Sequence, residues 1–351
     1  MRALTIIAGS VVFLGLGYGF YARLVERFFE IDPSNETPAN KYFDGVDYVP
    51  ARNWLILFGH HFASIAGAGP IVGPVIAVAI WGWWPALLWI VVGTVFLGAV
   101  HDFATLVISI RHGGRSIADI AEDVISRRSK LIFLGFVWLA LILVIAVFAA
   151  IAAKTLTTNP ETVMPCFGLI ASAFLVGFML YRIKTNIVIA TITGLVLMVL
   201  FIVLGDMFPV GIGPNAYVIW SIVLLIYAFI ASVTPVHVLL QPRDYISSFL
   251  LYFGIGAGLL GIVITNPSVN IAGFGGWRPS TGDWLWPMLF VTIACGANSG
   301  FHALVSSGTT SKQLPNERYA KRIGYGAEHR PDIAPLAAYG KDATDKYYHK
   351  C

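Results

Sequence analysis

Nine apolar stretches, each about twenty residues long or somewhat longer, run through this 351-residue chain, at about 4–24, 54–80, 86–110, 131–153, 163–181, 187–205, 215–240, 246–265 and 286–306. A bilayer core about 30 Å thick is crossed by roughly 20 residues of helix. Lipid offers no partner to a backbone N–H or C=O, so runs of this kind fold as helices that satisfy themselves. The breaks between them carry Pro, Gly, Asn, Asp or charge, as helix ends do. Charged residues make up 12% of the chain, half of the roughly 25% found in a soluble domain. The expectation is an all-α polytopic membrane protein, with a transmembrane domain over residues 1–311 and a polar cytoplasmic tail over 312–351.

Several classes drop out at once. Cys166, Cys295 and Cys351 lie far apart, so neither a metal ribbon nor a disulfide framework is available. No G-x-x-x-x-G-K-[ST] loop occurs, which removes ATP hydrolysis by that route. Leu4 to Leu24 has a weak positive start and no small-residue cleavage site, and reads as a retained span rather than a signal peptide. Residues 25–53 form a polar connector.

Lys and Arg set the orientation. With the N-terminus outside and all nine stretches crossing, 20 of the 23 Lys and Arg residues fall on one face, and only Arg2, Lys154 and Arg278 on the other. The basic face is the cytoplasmic one, so the N-terminus is expected outside and the C-terminus inside. The net charge of +4 belongs to that face and not to a nucleic-acid partner.

Some residues do not suit a plain span. The second stretch contains Gly59-His60-His61 and then Ala66-Gly67-Ala68-Gly69-Pro70, with Gly73 and Pro74 beyond. Two prolines and several glycines interrupt a helix, and interrupted helices at membrane depth bury their freed carbonyls or line a cavity with them. The ninth stretch breaks at Gly296-Ala297-Asn298-Ser299-Gly300 and ends in Ser306, Ser307, Thr309 and Thr310. The break at Ala66 to Pro70 is expected to face these hydroxyls, giving neutral oxygen ligands suited to sodium; the plainer alternative is hydroxyls bonded back to their own helix. With a proton as the coupling ion, Asp102 with His101, or the His60–His61 pair, has to titrate, since hydroxyls do not. His237 reads as a satisfied core histidine. Gln241-Pro242-Arg243-Asp244 reads as the cytoplasmic cap of the seventh span, either a helix end with a local ion pair or, with Arg243 and Asp244 as candidates, a gate. Trp81, Trp83, Trp84, Trp277, Trp284 and Trp286 read as an interfacial belt. No catalytic group, metal or cofactor is expected beyond a coupling ion.

With these residues in view, the chain resembles the carbon starvation protein A family, the CstA-type transporters. The resemblance rests on Gly45 to Pro50 (GVDYVP), Phe58 to Pro74 (FGHHFASIAGAGPIVGP), Gly98 to Phe103 (GAVHDF), Gly114-Arg115-Ser116, Gln241 to Tyr245 (QPRDY), Thr292 to Gly296 (TIACG) and Ser299 to Thr310 (SGFHALVSSGTT). It runs from about residue 20 to 326. It implies an inner-membrane protein that imports peptides, or in relatives pyruvate, and a fold of the inverted-repeat secondary-transporter type. Asn298 and His237 depart from the family pattern. Family chains continue past Gly324-Tyr325-Gly326 into further spans, so the resemblance also implies a truncated chain, or one half of a split transporter completed by a second chain.

Rival classes make weaker use of the same residues. An intramembrane serine protease would use Ser299 with a membrane histidine, but Ala297 breaks the G-x-S-G pattern. A haem-binding cytochrome would need two histidines about 13 residues apart on one helix, which no stretch offers. A subunit that does not transport by itself is the third alternative. The reading that uses most of the unusual residues is secondary active import of peptide or pyruvate on a proton or sodium gradient.

Overall fold

The computed structural model describes residues 2–279 and 283–328. Among these the chain is helical, apart from one isolated bridge between Arg2 and Ser268. In chain order the helices are α1 (Ala3–Phe28), α2 (Trp54–Ile65), α3 (Ala68–Trp81), α4 (Trp83–Arg111), the short α5 (Ile117–Val124), α6 (Arg127–Thr158), α7 (Val163–Tyr181), α8 (Ile187–Met207), α9 (Ala216–Val233), α10 (Leu240–Thr265), α11 (Leu285–Ala297) and α12 (Gly300–Gly308). Among the described residues, eight helical stretches are long and apolar enough to cross a bilayer. The α2–α3 pair, bent by 43° at its break, makes nine. The chain is a multi-pass, all-α membrane protein.

α2 sits at the centre. Its Leu57, Phe58, Phe62 and Ile65 pack with Phe103, Leu106 and Val107 of α4 and with Ile323 and Tyr325. Its Ile56 joins Val176 and Leu180 of α7, Ala190 of α8 and Tyr245 and Ile246 of α10. α3, the first half of α4 and α11 form a second core around Trp81, Ile90, Leu289 and Ile293. α6 lies at the rim. Its most apolar window has no buried residue and leaves Ile132, Phe136 and Trp138 exposed, the pattern of a helix facing lipid.

Two boundaries differ from the sequence reading. The seventh span stops at Val233, and the next helix starts at Leu240 rather than 246. Gln241 to Asp244 therefore opens α10 instead of capping α9. Pro242 explains why: a proline in a first turn gives up an N–H that has no helical partner anyway. His237 lies in the connection between the two helices, its ring edge-on to Tyr181 at 5.4 Å. Of the expected tryptophan belt, Trp81 is buried in the second core, while Trp84, Trp277, Trp284 and Trp286 are exposed.

The basic connections meet at one end of the bundle. Arg52 donates to the carbonyls of Leu180 and Lys184, Tyr48 to Gly113 O, and Lys312 lies 3.9 Å from Asp47. At the other end Trp83 and Trp84 donate their amides to Ala272 and Gly273. Residues 312–328, within the stretch read as a polar tail, pack into the bundle: Leu314, Glu317, Ile323 and Tyr325 are buried, and Arg111 and Asn35 both donate to the Glu317 carboxylate. The remainder of that stretch lies outside the described residues.

Candidate functional site

The break in the second span follows from its first-turn chemistry. α2 ends where Ala66 leaves helical backbone and Gly67 is extended, and α3 restarts at Ala68. Pro70 is the third residue of α3, where a missing N–H costs nothing. Pro74 is inside α3 and withholds a hydrogen bond from the Pro70 carbonyl. That carbonyl abuts Gly296 of α11, where a Cβ would stand 3.5 Å from the oxygen. One turn along, a Cβ on Gly73 would stand 2.3 Å from the Thr292 carbonyl oxygen, so the two backbones touch. The Phe58–Pro74 and Thr292–Gly296 motifs thus pack against each other through their small residues.

The structure places the expected site residues in two groups. The break at Ala66, Gly67, Ala68, Gly69 and Pro70 lies against Cys295 and Gly296, with Gly69 and Pro70 making the contacts. The hydroxyls beyond the second break largely serve their own backbone: Ser307 donates to Ala303 O at 2.9 Å and Thr309 to Val305 O at 2.9 Å. Ser307 Oγ also accepts from the Ile117 amide, and Ser306 is fully buried. Thr310 reaches across to α2, its hydroxyl 2.9 Å from His61 Nδ1.

His60, the neighbour of His61, meets α10. Its Nδ1–H donates to Asp244 Oδ2 at 2.9 Å, and Ser64 Oγ donates to the same oxygen at 3.2 Å. The other oxygen, Oδ1, accepts from Arg243 Nε at 2.8 Å and Nη2 at 2.6 Å. Arg243 Nη1 donates to Tyr227 of α9 at 2.7 Å. The result is one hydrogen-bonded row from α2 through α10 to α9. His60 and Asp244 are both buried. α2 comes this close to α10 because residue 59 is glycine: a Cβ there would stand 2.9 Å from Ser248 Oγ. Gln241, fully buried in the same first turn, accepts from Tyr181 of α7 and donates to Gln313 at 2.6 Å.

Asp102 is the second buried carboxylate of the spans. It lies on α4 beside His302 of α12, with His302 Nδ1 3.4 Å from Asp102 Oδ2. His101 is 3.7 Å from the other oxygen, and its side chain is 44% exposed. His302 is the base a Ser299 protease would need, and it is turned toward Asp102. Between α1, α2, α10 and Arg322 runs an apolar groove of about 730 Å³, walled by Tyr18, Trp54, Phe58, Phe249 and Tyr252. Among the described residues no group of three or more His, Cys, Asp or Glu side chains could hold a metal ion.

The sequence reading paired Arg243 with Asp244, as the structure has them, and missed that His60 is bonded to the same carboxylate. The available signal was Pro242 before an apolar run, which marks a helix start and puts Asp244 within one turn of it. Ser64 and Tyr227 carried no mark of their own.

Comparison with known proteins bears on what such an arrangement does. The sequence model of the carbon starvation protein CstA matches residues 2–329. The chain is 39% identical to the peptide transporter CstA of Campylobacter jejuni over 341 residues, covering 93% of this chain and 48% of that protein. It is 39% identical to the pyruvate/proton symporter BtsT of Escherichia coli over 345 residues, covering 93% and 47%, and 38% identical to the peptide transporter CstA of the same bacterium, covering 93% and 48%. The chain spans about half the length of the curated relatives it matches. No solved structure matches it.

Proposed function

Because the chain belongs to the carbon starvation protein CstA family, we propose that it acts in secondary transport across the plasma (inner) membrane, carrying a peptide or pyruvate inward on a proton gradient. The observation that carries this reading is the polar seam at two interrupted spans. α2 gives way to α3 at Ala66–Gly67, α11 gives way to α12 at Asn298–Ser299, and His60, His61, His302, Asp102 and Asp244 are all buried beside them. Ionisable groups inside a membrane are costly to hold and mark ion and substrate paths. Interrupted helices are how transporters expose backbone polar groups to such a path.

In this reading the Ala66–Pro70 break and the Ser306–Thr310 hydroxyls border the path, and the N-terminus lies outside with the basic end of the bundle in the cytoplasm. Transport rather than catalysis is the activity. A proton suits the seam better than sodium, since Ser307 and Thr309 spend their hydroxyl hydrogens on their own helix. One observation favours sodium: Ser306 Oγ is buried with no hydrogen bond among the described residues. Under sodium coupling, Ser306→Ala weakens the apparent sodium affinity; under proton coupling, it leaves ion dependence as it was.

The test uses vesicles containing only this chain. Labelled pyruvate and a labelled dipeptide are offered under an inward proton gradient and, separately, an inward sodium gradient. Accumulation under the proton gradient, abolished by a protonophore, is the expected result. No accumulation under either gradient, or accumulation that survives collapse of both, overturns the reading.

A further inference from the structure

We infer that the imidazole of His60 is the site that binds the coupling proton, with Asp244 as its fixed counter-ion and Arg243 holding that counter-ion ionised. This rests on the transport reading above only for its purpose; the protonation itself is a property of the three side chains.

The geometry assigns each atom a part. His60 Nδ1–H is committed to Asp244 Oδ2, so the neutral ring carries its free lone pair on Nε2. That atom is buried and makes no hydrogen bond among the described residues. A proton arriving at Nε2 turns imidazole into imidazolium, and no bond has to break. Asp244 is a poor place for that proton, because Arg243 grips Oδ1 with two N–H groups, and protonating the carboxylate would leave a half-buried guanidinium without its charge partner. Arg243 and Asp244 cancel, so the group is neutral with His60 neutral and carries +1 with His60 protonated.

That charge step names the solute class. A net +1 inside the membrane is costly, and a monoanion bound nearby offsets it. The proton and a small monocarboxylate therefore favour each other's binding, and the coupling is reciprocal. A zwitterionic dipeptide, with no net charge, gains less from the same proton.

The charged and titratable groups around His60 are these. Facing it from α10 are Asp244 and Arg243, the latter tied to Tyr227 on α9. Elsewhere around α2, Tyr245 shares a hydrogen bond with Thr191, Tyr325 donates to Val95 O, Lys321 pairs with Glu26, and Arg322 lies over the Trp54 ring. His61 is bonded to Thr310, and His302 stands at Asp102.

The experiment is nitrogen NMR of the histidine-labelled full chain in lipid nanodiscs, with His60 assigned through His60→Gln. The expected result is that Nδ1 stays protonated from pH 5 to 8 while Nε2 gains its proton within that range. Pyruvate should raise the proton affinity of Nε2 several-fold, and a neutral dipeptide should raise it less. Asp244→Asn should lower it at least tenfold, and Asp102→Asn should leave it within twofold. A silent Nε2, or a titration indifferent to Asp244→Asn, overturns the inference. Should Asp244→Asn fail to fold, His60→Gln decides through uptake: its rate should lose the pH dependence of the wild type between pH 5.5 and 8. A retained pH profile in His60→Gln, or one abolished instead by Asp102→Asn, also overturns it. If the wild type moves no solute, the transport reading fails and the titration still decides this inference.

Discussion

Gly73 and Arg243 show how much single positions carry. A methyl group on Gly73 would press on the Thr292 carbonyl at 2.3 Å, so Gly73→Ala must push α3 from α11. Overpacking of this kind costs about 1–3 kcal/mol, read as a lower thermal midpoint in detergent. Gly254 on α10 has nothing within 4 Å of a Cβ, and Gly254→Ala should leave that midpoint unchanged or slightly higher. Arg243→Ala leaves Asp244 charged and buried with only His60 and Ser64, and removing one partner of a buried pair costs about 3–5 kcal/mol. Arg243→Lys should recover part of the loss, because an ammonium restores the charge but not the two-pronged grip. Equal melting of the alanine and lysine variants would contradict this. At this scale the sequence was half legible. It marked His60, Arg243 and Asp244 as odd residues in apolar surroundings, but a bond between residues 184 positions apart depends on which helices become neighbours, and no local pattern encodes that.

Among the elements, α5 offers a pH prediction outside the membrane. Its N-cap, Ser116, accepts from the Asp119 amide, and the Ser116 hydroxyl donates back to the Asp119 carboxylate at 2.7 Å. That hydrogen bond first, and the bond from Lys130 next, hold the Asp119 carboxyl below its ordinary value of 3.8. A carboxylate whose pKa falls on folding contributes stability above its ordinary pKa and loses it as pH drops through the lowered one. Proteolytic cutting within 117–126 should therefore rise as pH is lowered below about 4, and Asp119→Asn should flatten that dependence at an elevated level. A wild type equally resistant at pH 3 and pH 6 would refute it. Elements also show where sequence reading succeeds and fails. The break at Ala66–Pro70 was legible because two prolines and several glycines in one apolar stretch are a local signal. The start of α10 was misread because Gln241 to Asp244 was weighed as charge at a span's end, whereas Pro242 in a first turn decides the matter. Residues 313–327 were read as tail on polarity alone, although Leu314, Ile323 and Tyr325 are buried against α2 and α4.

For the whole molecule, the eight or nine spans among the described residues were legible from length and apolarity, since backbone in lipid has so few alternatives to helix. The partition of 20 Lys and Arg residues against three predicts that the end joining Arg52, Gly113, Lys184 and Lys312 faces the cytoplasm. A cysteine introduced at Lys184 should resist a membrane-impermeant thiol reagent in intact cells, and one at Arg278 should react; the reverse pattern would invert the topology. What no sequence pattern supplied is the hydrogen-bonded row that runs from His60 through Asp244 and Arg243 to Tyr227 beside the broken spans. The most direct measurement on it is proton movement in vesicles holding only this chain and a trapped pH dye, with pyruvate added outside and no gradient imposed. The expected result is acidification of the lumen that follows pyruvate entry in the wild type and disappears in His60→Gln. Pyruvate entry with no acidification, or acidification undiminished in His60→Gln, would contradict proton coupling at this seam.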